Sequence, residues 1–151
     1  MTETTRIPFL AGPLSEAASN FILNALKREG YGDLLPCHGD ILHVLTRQET
    51  ATVVELARLT RRSKSTASAL VAKLVDLGYI EKERSCADSR VVHLRLTEKG
   101  RAFLPVSERI SRELHEIVTK GLNEDEIRQA ENLLVAVLNH FDDKSQKRPQ
   151  K

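Results

Sequence analysis

The sequence predicts a mainly α-helical protein with a small β-wing, arranged as a winged helix-turn-helix between long terminal helices. Three observations predict it. Apolar residues recur at steps of three and four along most of the chain, which places them on one face of a helix. The stretch from Val53 to Thr97 runs through two short amphipathic segments separated by a polar turn, and then through two alternating segments joined by a polar loop. Positive charge collects there. Residues 52–101 hold 11 Lys+Arg and 6 Asp+Glu, net +5, against 12 and 15, net −3, in the rest of the 151-residue chain, the footprint of a basic module on an acidic body.

Residues 1–13 read as an irregular arm in which Pro8 and Pro13 delay any helix. From Leu14 the positions Leu14, Ala17, Ala18, Phe21, Ile22, Ala25 and Leu26 form a helical stripe ending near Gly30. Tyr31 to Leu35 makes a turn. Pro36 suits the first turn of a second helix, which carries Ile41, Leu42, Val44 and Leu45 to about Arg47. Gln48 to Thr52 then connects it to the third, where Val53, Leu56 and Leu59 share a face and Ala57 permits close crossing. Thr60-Arg61-Arg62 breaks the pattern, and Ser63 is placed to cap a fourth helix whose inner stripe is Ala67, Leu70, Val71, Leu74 and Leu77. Gly78 ends it.

Tyr79 to Arg84 reads as a short exposed strand. In the second strand Val92, Leu94 and Leu96 point one way and Val91, His93 and Arg95 the other. Thr97 can cap a long helix through Lys120, kinked at Pro105 and ended by Gly121. Asn123 and Glu126 have capping-box spacing for a last helix, striped by Ile127, Ala130, Leu133, Leu134, Val137, Leu138 and Phe141. Asp142 to Lys151 is polar without periodicity, the composition of a disordered tail.

The chemistry sits on the outside of the fourth helix. Ser63, Lys64, Ser65, Thr66, Ser68 and Lys73 make a leading end and outer face of small hydroxyls and lysines, which suits the DNA major groove. Hydroxyl-rich helix starts are also ordinary caps, so that face alone leaves a solvated surface equally open. The wing tip, Ser85 to Arg90, adds weight: Asp88 and Arg90 can form a charge-assisted hydrogen bond that aims the guanidinium outward, toward a narrow minor groove. Arg61, Arg62 and Arg84 complete the candidate contacts. An ordinary surface ion pair, worth about 0–1 kcal/mol, is the bland alternative at the tip.

The run from Glu55 to Gly100 resembles the winged helix of the MarR (multiple antibiotic resistance regulator) family, through ELA, KST, the L-V-x-K-L run into LGYIE, the D-x-R of Asp88 and Arg90, and LTEKG at 96–100. The resemblance implies a homodimer that binds double-stranded DNA at a pseudo-palindromic operator and is released by a small-molecule effector or an oxidant. It also implies that the terminal helices of two subunits intertwine, through Leu14, Ala18, Phe21, Ile22 and Ala25 of the first helix and Ile127, Leu134, Val137, Leu138 and Phe141 of the last. The organisation is then an arm and dimerisation helix at 1–35, a winged helix-turn-helix at 36–101, dimerisation helices at 102–142 and a tail at 143–151. An effector pocket would lie between the terminal-helix core and the winged region. Two departures stand out. Arg61 and Arg62 occupy turn positions where such sequences often have a glycine and an apolar residue, and Ala69 stands where many carry a base-reading arginine.

Other classes find little support. No apolar stretch approaches the roughly 20 residues of a membrane span, and no secretory signal is visible, so a cytoplasmic chain is expected. Cys37 and Cys86 are then reduced thiols; Cys37, in the first turn of a helix, and Cys86, at the wing tip, are candidate redox sensors. Each also reads as a small apolar residue or an incidental surface thiol. His38 and His43 do not share a helix face, and His115-Glu116 lacks the second histidine of a zincin motif because Thr119 stands there, so no metal site is expected. No catalytic residue and no cofactor are assigned, and an enzyme is not expected. The remaining alternative is a winged-helix module that binds an acidic protein, or DNA architecturally without a specific operator.

Overall fold

The computed structural model describes residues 5–88 and 90–146 and shows six helices and a two-stranded sheet among them. In order they are α1 (Ile7–Arg28), α2 (Pro36–Gln48), α3 (Val53–Leu59), α4 (Lys64–Asp76), β1 (Ile80–Arg84), β2 (Val92–Leu96), α5 (Glu98–Val118) and α6 (Glu124–Gln146). The chain divides into two compact units, Met1–Leu114 and His115–Lys151.

Helix α1 begins at Ile7, seven residues before the expected start. Pro8 falls in the first turn, where its missing N–H had no helical acceptor, and Pro13 is carried inside the helix at the loss of one ladder bond. Of the expected arm, only Thr5 and Arg6 remain outside the helix among the described residues. At the other end α6 continues to Gln146, past the point where an irregular tail was expected; residues 147–151 lie outside the described residues.

The core of the first unit is built where the stripes meet. Leu26, Leu34, Ile41, Leu42, Leu45, Leu56, Val71, Leu74, Tyr79, Ile80, Leu94, Leu96, Phe103 and Ile110 are all buried in one cluster. Aromatic edges join it: the Tyr31 and Phe103 ring centroids are 4.9 Å apart, and those of Tyr79 and Phe103 6.2 Å. Ala25, read as a dimerisation residue, belongs to this core at 1% exposure. The C-terminal half of α1 therefore packs on its own chain, and Ala25 has no surface to offer a partner. Outside the core, Arg28 donates to Glu113 at 2.8 Å and Arg109 to Glu29 at 2.5 Å, two ion pairs joining the end of α1 to α5.

The wing pairs β1 with β2 antiparallel, with Ile80 opposite Leu96 and Arg84 opposite Val92. Leu94 and Leu96 face the core as the alternation requires, while Val92, nearest the tip, is exposed. The connector before α3 has more structure than its composition suggested. Ala51 and Leu94 exchange backbone hydrogen bonds at 3.1 and 2.8 Å, and Thr52 with Glu55 forms a capping box on α3. That box is the Thr-x-x-Glu pattern, present in the sequence and overlooked there.

Among the described residues, His38 is the one buried polar side chain in the core, 2% exposed. Its Nδ1 accepts from the Leu35 N–H at 3.0 Å and so closes the start of α2. Burial first, and the Lys73 charge second, hold its pKa below the ordinary 6.5, against a smaller opposing pull from Asp33. As pH falls through about 6.5 the unfolded chain gains this proton before the folded one, so stability declines on the acid side until the folded imidazole itself titrates. Urea midpoints measured at pH 7.5 and 5.5 should show this fall in the native chain and a smaller one in His38→Gln.

Candidate nucleic-acid interface

Helix α4 is held at both ends by groups outside it. At its start the Ser63 hydroxyl accepts from the Thr66 N–H at 3.1 Å and lies 2.8 Å from the Thr66 hydroxyl and 3.1 Å from that of Ser65. Ser63 therefore serves the helix as its cap, and Ser63, Ser65 and Thr66 form one small hydroxyl cluster. Ala67, Val71 and Leu74 bury the inner face, while Lys64, Ser65, Thr66, Ser68 and Lys73 remain exposed. Those five residues form the outer surface that the sequence assigned to DNA.

At the C-terminal end Gly78 takes φ +79°, a left-handed conformation that suits glycine, and turns the chain into β1. Lys99 Nζ donates to the Leu77 carbonyl at 2.8 Å, placing a cation on the negative end of the helix dipole. The same ammonium lies 4.2 Å from the centre of the Tyr79 ring. Thr97 donates its hydroxyl to the Gly78 carbonyl at 2.6 Å. Thr97 and Lys99 thus fix the helix that the sequence singled out, although its pattern marked Thr97 only as a cap of α5.

The wing carries Arg84 and Arg90 exposed near its end. Asp88 stiffens that end by a different bond from the one expected: its Oδ1 accepts from the backbone N–H of Arg90 at 2.9 Å, not from the guanidinium. Two residues of separation bring the main-chain donor within reach of a short carboxylate, an Asx-type turn. Ser85 Oγ accepts from the N–H groups of Ala87 and Asp88 at 3.2 and 3.4 Å. Ser89 lies outside the described residues.

The two turn arginines part company. Arg61 has φ +53°, the left-handed conformation that favours glycine, which explains why a glycine is common at this point in similar turns. A non-glycine residue in that conformation costs about 1–2 kcal/mol. Glycine gives back about 0.5–1 of this as unfolded-chain entropy. Arg61→Gly is therefore expected to stabilise the fold by about 0.5–1 kcal/mol, a rise of about 1–4 °C in melting temperature at this chain length. Thermal unfolding followed by circular dichroism checks it. Arg62 turns away from the outer face of α4, and its Nη2 donates to Asp40 Oδ2 on α2 at 2.7 Å.

A cavity of about 550 Å³ lies in the first unit between α1, α2, α5 and the α3–α4 turn. Its floor is apolar, with Ile22, Leu26, Leu34, Val44, Phe103 and Ile110, and its polar lining includes Asp40, His43, Thr60, Arg61, Ser107 and Ser111. Of the candidate redox residues, Cys37 is half-buried and Cys86 exposed, both as free thiols. Among the described residues no three His, Cys, Asp or Glu side chains are grouped to hold a metal ion, and no helix is long and apolar enough to cross a membrane.

Comparison with known proteins agrees with this geometry. Residues 33–90 match the model of the MarR family. The HTH-type transcriptional regulator TcaR of Staphylococcus aureus (strain Newman) is 29% identical over 98 residues, which are 64% of this chain and 64% of that protein, so the match spans a little under two thirds of the relative's length. A mutant MarR from E. coli complexed with operator DNA superposes with a TM-score of 0.74 at 24% identity, covering 87% of this chain and 93% of that one. BpsR of Bordetella bronchiseptica, whose DNA binding is regulated by 6-hydroxynicotinic acid, gives 0.70 at 20% identity, covering 88% and 98%. With α2, α3, α4 and β1 inside the matched segment, residues 33–90 are similar to the MarR family, and the chain shares the fold of solved MarR structures.

Proposed function

We propose that this chain is a homodimeric, sequence-specific DNA-binding transcription regulator, a ligand-responsive repressor acting at a pseudo-palindromic operator. The observation that carries the reading is the exposed face of α4, with Lys64, Ser65, Ser68 and Lys73, on the same basic module as a wing bearing Arg84 and Arg90. Hydroxyls and ammonium groups on a helix meet base edges and phosphates in the major groove, and wing arginines suit the minor groove beside it. The regulator TcaR and the operator complex of MarR support the same assignment.

Apolar area that a single chain leaves uncovered supports the dimer reading. Leu14, Leu134, Leu138 and Phe141 are 53, 44, 52 and 66% exposed, apolar area that a second copy would bury. Ala18, Phe21, Ile22, Ile127 and Val137 are half-buried. A two-fold dimer sets its recognition helices about 34 Å apart, one turn of DNA, and so reads an inverted repeat. Repression follows from occupying that site.

The cavity supports an effector site in this reading. An apolar floor with His43, Arg61, Ser107 and Ser111 among its polar lining suits a compact aromatic acid, and the regulation of BpsR by 6-hydroxynicotinic acid supports that class. Such a ligand acts only through unequal affinity for two arrangements of the dimer, favouring the one whose recognition helices no longer match the operator. Selection of bound sequences from a random duplex pool, at near-physiological salt with competitor DNA, tests the reading. An inverted repeat is expected; recovery of sequence-independent, salt-sensitive binding alone would replace it with an architectural role.

A further inference from the structure

Arg62 is the last residue before the Ser63 cap, so the position of its side chain and the start of α4 are linked by one peptide unit. The guanidinium side chain is 28% exposed, and its Nη2 is held by Asp40 Oδ2 at 2.7 Å. Its Nε is buried and has no hydrogen-bond partner. Asp40 sits in the second turn of α2, 22 residues earlier in sequence, and lines the 550 Å³ cavity together with Thr60 and Arg61 of the same turn. A charged side chain drawn inward in this way offers little to a phosphate. Its side-chain hydrogen bond to Asp40 runs back to the body of the module, from the point where the recognition helix begins.

From this arrangement we infer that the Arg62–Asp40 pair is a strut between the cavity wall and the start of α4. Arg62 is then a positioning residue for DNA binding, acting through Asp40, and does not contact DNA. Because Asp40 is part of the cavity lining, a molecule in the cavity whose hydroxyl or N–H donates to its carboxylate in place of Arg62 loosens the strut and with it the start of the helix. This inference rests on the reading of α4 as the DNA-contacting helix, and the experiment separates the two.

The full chain is titrated with the duplex that the native protein selects, at several salt concentrations. Asp40→Asn is expected to bind about five- to tenfold more weakly, with the native dependence of log affinity on log salt. Were Arg62 a phosphate ligand, removing the nearby carboxylate would strengthen binding instead, and Arg62→Gln would flatten the salt slope by about one. Under the strut, Arg62→Gln weakens binding with an unchanged slope. The exchange Asp40→Arg with Arg62→Asp restores affinity to within about threefold of native, although it places a carboxylate beside the helix start. Far-ultraviolet circular dichroism of each variant confirms folding, and Arg62→Lys, which keeps the ion pair, serves as the mild variant expected to bind within threefold of native. Native-like or tighter binding by Asp40→Asn, or a flattened slope in Arg62→Gln, overturns the strut while leaving the DNA-binding reading intact. Failure of the native chain to select any duplex overturns that reading, and the inference with it.

Discussion

Replacing Gly100 by alanine is expected to lower the melting temperature by about 10 °C. A Cβ built on Gly100 would stand 2.2 Å from the Tyr79 carbonyl oxygen, with the carbonyl carbon and Leu96 Cδ2 at 3.3 and 3.2 Å. The oxygen cannot swing aside cheaply, because it accepts from the Thr97 N–H at 3.0 Å. Gly100 itself donates its N–H to the Thr97 hydroxyl at 3.1 Å, and that hydroxyl donates to Gly78. The first turn of α5 is therefore fastened to the junction of α4 and β1 at van der Waals distance, and only a residue without a side chain fits. Forcing backbone apart at such a contact costs about 3 kcal/mol. At about 2–4 °C per kcal/mol for a chain of this size, thermal unfolding should show the drop directly. Gly12→Ala is the control, since nothing lies within 4 Å of its added Cβ in the interior of α1. An unchanged melting temperature in Gly100→Ala would mean that the α4–β1–α5 junction is looser than these contacts describe.

The second large effect is on DNA. Ser68→Glu should reduce affinity for the selected duplex about 100-fold with little change in melting temperature. Ser68 lies one helical turn beyond Lys64 and is exposed, beside the stripe of Ala67, Val71 and Leu74 that α4 buries. Placed against a groove, a carboxylate there meets phosphates and base acceptors without an available proton, and about 1.4 kcal/mol accompanies each tenfold loss. Ser68→Ala should lose far less, because it removes a hydroxyl without adding charge. Titration by fluorescence anisotropy separates the two. Equal binding by native and Ser68→Glu chains would take α4 out of the interface.

What the sequence made legible follows from the range of the forces involved. The inner stripe of α4, the Ser63 cap, the inward Leu94 and Leu96, and the reciprocal bonds of Asn123 and Glu126 at 2.9 and 3.0 Å all depend on residues within a turn or a strand of each other. The left-handed backbone of Arg61 was not read from its own sequence; only the resemblance marked the position as one where a glycine is common. Contacts between elements were not legible. Nothing in the spacing links Arg62 to Asp40, or Ala51 to Leu94. Ala25 fits a stripe equally well whether the stripe faces its own core or a partner, and only packing decides. The early start of α1 shows a further limit: two prolines argue against a helix one residue at a time, whereas the helix needs only that Pro8 fall in the first turn and that one lost bond at Pro13 be tolerated.

The central claim is that two copies of this chain read DNA with α4 in the major groove and the wing beside it. Hydroxyl-radical footprinting of the selected duplex tests it most directly. The account predicts two protected patches related by a two-fold axis, their centres about 10 base pairs apart, each extended into the neighbouring minor groove where a wing arginine would reach. A single protected patch, or uniform protection along the duplex, would contradict it.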